Sequence, residues 1–98
     1  MILNVFGIRV VVTPKEGLMT EHGCRGIYYP GSGKLIHDPL LKGKDKLQCI
    51  LHEVIHSVIC RVGIDQAKMS HDLEEILCES ISVAMVENWK KLNHVLSP

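Results

Sequence analysis

His52-Glu53-Val54-Ile55-His56 sets two imidazoles four residues apart, with a carboxylate directly after the first. On an α-helix, residues four apart lie on one face, one turn above each other, so both rings can point at one cation. Neutral imidazole is a good ligand for zinc. Glu53 sits beside His52 and three residues before His56, so it flanks such an ion without ligating it. A carboxylate there can serve as general base toward a water whose pKa the ion lowers to about 7. Hydrolysis by metal-activated water is the chemistry that H-E-x-x-H carries. The rival reading is two helix histidines satisfied by hydrogen bonds and a surface glutamate. It must explain why charged groups interrupt an apolar run, which is costly unless they are paired or metal-bound.

A catalytic zinc site needs a third protein ligand and an open position. The extended pattern H-E-x-x-H-x-x-G-x-x-H is absent, because Ile59 and Val62 stand at its glycine and third-histidine positions. The ligand must come from elsewhere, and His71, Asp72, Glu74, Glu75, Cys78 and Glu79 are the candidates. Helical phase favours Glu75, which shares a stripe with Cys78, Ser82 and Val86. Glu79 is one turn on and slightly rotated, a ligand or a partner to one. Glu74 points to a different side and reads as solvated. His71 shares the Glu75 face and can stabilise an oxyanion or stand in solvent. Of Tyr28 and Tyr29, alternation along a strand turns only one inward. His22, His37 and His94 lie outside any ligand spacing. Cys49 and Cys60 neighbour the motif and by phase point away from it.

These residues need helices to hold them. From Asp45 to Val62 apolar residues recur at three- and four-residue steps, and Gly63 follows as a left-handed C-cap. A second helix starts from Ser70 as N-cap, with Asp72 and Glu74 favouring its first turn, and runs to about Leu92. Its stripe of Leu73, Ile76, Leu77, Ile81 and Ala84 lies opposite the Cys78 stripe, which places it between two packing partners. Upstream, Asn4 to Thr13 reads as one strand. "RGIYYP" and "KLIHD" form a hairpin across Pro30-Gly31-Ser32-Gly33, and 14–26 is loop. The expected fold is therefore α+β. A small, mostly antiparallel three-stranded sheet packs on two main helices in a single domain, 1–98.

Length and composition agree. Ninety-eight residues fit one domain with a thin stability margin, to which a bound metal adds. Eleven basic and eleven acidic residues cancel, and without a basic stripe nucleic acid is not an expected partner. No apolar run is long enough to span a bilayer. The N-terminus lacks the marks of a signal peptide, and the four cysteines include no C-x-x-C, so reduced thiols and cytoplasmic residence are expected.

At "LHEVIHSV" and "EEILCESIS", with "GIYYPGSGKLIHD" before them, the chain resembles the minimal gluzincin-type metallopeptidases of phages and mobile elements, related to the ImmA/IrrE family. The resemblance implies a zincin-like fold. It also implies His52, His56 and Glu75 as zinc ligands, Glu53 as catalytic base, and "KLIHD" as a sheet edge to which a peptide adds by backbone pairing. Cys78 replaces the small apolar residue of the ligand pattern. The expected activity is zinc-dependent hydrolysis of peptide bonds in a protein or peptide. Two rivals stand beside it. One is a non-catalytic, zinc-stabilised module docking on a phage or host protein, with a fourth ligand from His71 or Cys78. The other is a metal-free scaffold that dimerises through an apolar stripe of the second helix.

Overall fold

The apolar first segment folds back on itself. In the computed structural model, which describes residues 1–63 and 68–96, it forms β1 (Ile2–Val5) and β2 (Ile8–Pro14), paired antiparallel from Ile2 opposite Val11 to Val5 opposite Ile8. Phe6 and Gly7 make the turn with φ of 51° and 78°. Left-handed values at both central residues match the right-handed twist of the strands they join. The single strand expected over Asn4 to Thr13 is thus a hairpin, and the sheet has four strands.

The chain then makes a short helix, α1 (Leu18–His22), inside the stretch expected to be loop. β3 (Gly26–Tyr29) and β4 (Lys34–His37) follow as the expected hairpin. β4 pairs parallel with β2, so the strand order is β1-β2-β4-β3 and the sheet is mixed, with two of its three pairings antiparallel. This places β4 in the interior. The exposed edge on this side is β3, which corrects the expectation that "KLIHD" is the edge.

Two long helices complete the fold. α2 spans Gly43–Val62 and ends at Gly63, whose φ of 76° supplies the expected left-handed cap. α3 spans His71–Glu87, and the Ser70 hydroxyl accepts the Leu73 N–H as N-cap. α3 stops five residues short of Leu92. Asn88 breaks it, its side chain donating to the Ala84 carbonyl, and α4 (Trp89–His94) begins at once. Val5, Val10, Val12, Tyr28, Leu35 and Ile50 form the core between the sheet and α2. α3 packs on α2 through the fully buried Cys78 and Ser82. Among the described residues its other stripe has no second partner: Leu73, Ile76 and Ile81 are exposed. The short link expected after Gly63 lies partly outside the described residues. Among the described residues no helix is long and apolar enough to cross a membrane.

Asp38 ties the sheet to α1. Its buried carboxylate accepts the N–H groups of Met19 (2.9 Å) and Leu40 (2.8 Å). Those two bonds, Met19 first, hold its pKa below the usual 3.8 despite burial. A lowered folded-state pKa stabilises above the unfolded value, and the gain is lost as pH falls through the folded one. Asp38→Asn should therefore melt below the parent at pH 7. The gap should close as pH drops below 3.8 in paired thermal melts. A gap that is constant with pH would show that the charge is not what holds the turn.

Candidate metal centre

α2 presents one face to the sheet and another to α3. Glu53 and Cys49 lie against β3, while Gln48, His52 and His56 meet the acids of α3. The His52 and His56 rings are 5.0 Å apart between centroids, as one helical turn demands. Glu75 of α3 faces both. Its Oε2 is 3.2 Å from His52 Nε2 and its Oε1 is 2.8 Å from His56 Nε2. One donor atom from each of His52, His56 and Glu75 lies within 4.8 Å of the others, a group able to hold a metal ion.

The outer nitrogens are engaged as well. Glu74 Oε2 meets His56 Nδ1 at 2.6 Å, and Glu79 Oε1 meets His52 Nδ1 at 3.3 Å. Glu74 is therefore not the solvated residue expected from phase, since its flexible side chain swings back across His56. Glu79 takes the partner role. It is held in turn by Gln48 Nε2 and by Arg25, whose Nη2 lies 3.3 Å from Glu79 Oε2 while Nη1 donates to Gln48 Oε1 at 2.8 Å. Gln48 also reaches Ser82 Oγ at 3.1 Å. Neither Arg25 nor Gln48 carries a motif. Only the three-dimensional pairing of β3, α2 and α3 reveals them.

Counting protons tests the fit of a cation. A neutral imidazole has one N–H and one lone pair. Each ring here meets a carboxylate at both nitrogens, four contacts in all. Two neutral rings can donate to only two of the four, and the other two would set a lone pair against an anion. Two further protons would satisfy the arrangement, and so would one divalent cation held by the two Nε2 atoms and Glu75. Carboxylates on the far nitrogens are the usual orienting partners of metal-bound histidine.

Glu53 stands beside this group without belonging to it. Its side chain is buried. Burial raises its pKa, and the nearby Glu75 charge adds to the shift. β3 passes close by: a Cβ on Gly26 would meet Cys49 Sγ at 2.7 Å and the Ile36 carbonyl at 3.0 Å. Cavities of about 270 and 280 Å³ flank the histidines and share Gly26, Glu53 and Glu75 in their walls. Cys49 lines the first and Cys60 the second, contrary to the phase reading. Cys49 is four before Glu53 and Cys60 four after His56, so each shares a face with the site. All four cysteines are free, and burial pushes the Cys49 and Cys78 thiols up to about 11 and about 12. Cys78 is not among the clustered donors.

The remaining candidates separate clearly. His71 is exposed and lines the second cavity. Tyr28 is the inward tyrosine and part of the core, while Tyr29 is exposed. Asp72, His22 and His94 are exposed, and His37 is buried beside the Asp38 carbonyl. Comparison with protein-family models, with curated proteins and with solved structures found no match.

Glu74→Gln and Glu79→Gln should each weaken metal binding by about 10–100-fold, the usual cost of losing such an orienting partner. Asp72→Asn, exposed on the same helix, should leave it unchanged. Competition against a chromophoric chelator, with cobalt or zinc as the ion, measures all three. Equal affinities would deny the two carboxylates an orienting role.

Proposed function

We propose that this chain is a zinc-dependent peptidase acting on an extended protein or peptide segment. The observation that carries the reading is Glu53: a buried carboxylate with a raised pKa, in the walls of both cavities, next to a His-His-Glu donor set and not part of it. Two imidazoles and one carboxylate are the donor set of many catalytic zinc sites. The resemblance of "LHEVIHSV" and "EEILCESIS" to gluzincin-type peptidases points the same way.

His52, His56 and Glu75 would hold the ion, with Glu74 and Glu79 fixing the two rings. Zinc, when bound, supplies Lewis acidity that polarises a carbonyl and makes water a stronger acid. Glu53 takes the proton of the attacking water and delivers it to the departing amine. One carboxylate can serve both directions of that transfer, as base toward the water and then as acid toward the amine.

The substrate class follows from β3. Arg25 and Tyr29 turn their carbonyls toward β4, where Asp38 and Gly33 donate to them. Alternation then turns the backbone of Gly26 and Tyr28 outward. Those outward groups are available to an extended chain laid along this edge. A fourth protein ligand would favour the docking-module reading. Among the described residues the donor group has three members, and neither His71 nor Cys78 joins it.

Protein purified without a metal-binding tag should contain about one zinc per chain. Glu75→Ala should lose it. Glu53→Gln should keep the zinc and lose at least about 100-fold in cleavage of a peptide library, the lower bound for removing a general base. A parent that binds no zinc would end the proposal. A Glu53→Gln variant that cleaves like the parent would remove Glu53 from the mechanism, and zinc binding without any cleavage would favour the docking module.

A further inference from the structure

A third cavity lies away from the histidines, where the first turn of α2 meets the α3–α4 junction. At about 510 Å³ it is nearly twice the volume of either cavity beside the metal centre. That falls within the usual range for small organic ligands, about 300–1,000 Å³. Leu47 of α2, Val86 of α3 and Trp89 of α4 give it apolar walls. Lys44, Lys90 and Lys91 also line it, and Glu87 is the one acidic residue among the lining groups. Three lysines against one glutamate leave the cavity positive in a chain whose charges cancel overall. The α2 residues involved precede His52 by five or more positions, roughly 7–13 Å along the axis at 1.5 Å per residue. This cavity therefore plays no part in the chemistry proposed above.

The combination selects its occupant. An apolar surface beside an aromatic ring favours a hydrocarbon or aryl body, and a cluster of ammonium groups favours an anionic head. A purely apolar molecule would make no use of the exposed lysines, and a bare inorganic anion would make no use of Leu47, Val86 and Trp89. We propose that this cavity binds a small organic anion with an apolar body, such as an aryl or alkyl carboxylate or sulfonate. The α3–α4 break at Asn88 serves the site, because it lets Trp89, Lys90 and Lys91 line the cavity with Val86 and Glu87.

Trp89 is the only tryptophan in the chain, so its emission is a single probe placed in the wall of this cavity. The test titrates 1-anilinonaphthalene-8-sulfonate into the full-length protein and follows both Trp89 quenching and dye emission. N-phenyl-1-naphthylamine, the same aromatic body without the sulfonate, is run beside it. The sulfonate should bind saturably at one site per chain. The uncharged dye should bind at least about tenfold more weakly. Lys90→Gln combined with Lys91→Gln should weaken the sulfonate by about three- to tenfold, as expected for two part-exposed charge contacts. Raised ionic strength should weaken it as well. Ile76→Ser, on the exposed stripe of α3, should change nothing, which separates the cavity from general apolar adhesion. Equal binding of both dyes, indifference to the lysine substitutions, or dye emission without Trp89 quenching would each overturn the proposal.

Discussion

Two imidazoles caught between carboxylates on both of their nitrogens set the conditions for everything around them. Two neutral rings cannot satisfy four carboxylate contacts. With all four contacts made, the two rings call for more positive charge between the helices than neutral imidazoles bring. Arg25 supplies some of it at one end, through Glu79. Added protons or a divalent cation would supply the rest. Cys78 and Ser82, small and fully buried, let the helices approach closely enough for the acids to reach the rings. Packing and charge are one problem here. The close contact that gives α3 its buried face also concentrates the negative charge that a cation relieves.

The sheet enters through a single point of close approach. Gly26 passes so near Cys49 and Glu53 that no larger residue fits without displacing its neighbours. Glu53 on α2 thus lies against the strand that also forms an edge of the sheet. The hairpin before it has a different task. β1 and β2 widen the sheet so that Val5, Val10 and Val12 can cover Leu35 and Ile50.

Much of this was legible in the sequence. The four-residue spacing of His52 and His56 requires a shared helical face whatever the fold, and helical phase selected Glu75. The Gly63 and Ser70 caps were legible because their chemistry is local. What escaped was non-local or weakly signalled. Phe6-Gly7 lacks the Asn-Gly or Asp-Gly form that marks a tight hairpin, so one strand was read where two exist. Asn88 ends α3 with neither glycine nor proline. Glu74 was misplaced because phase describes where a Cα points, whereas a glutamate side chain reaches across a neighbouring turn. Arg25 and Gln48 could not be assigned without knowing that β3, α2 and the middle of α3 converge.

Placing Glu74, Glu75 and Glu79 on one helix has a consequence for how this chain tolerates change. A substitution at any of them removes one group and leaves the others where they are. An added or deleted residue acts differently. One residue inserted between Glu75 and Cys78 would turn the rest of α3 by about 100°. Either Glu79, Ser82 and Val86 would then leave the α2 face, or Glu74 and Glu75 would. No rotation of the whole helix restores both halves, because the same face carries the acids and the buried small residues. Length is therefore more constrained than composition in this segment, and viable variants should differ here by replacement rather than by insertion or deletion.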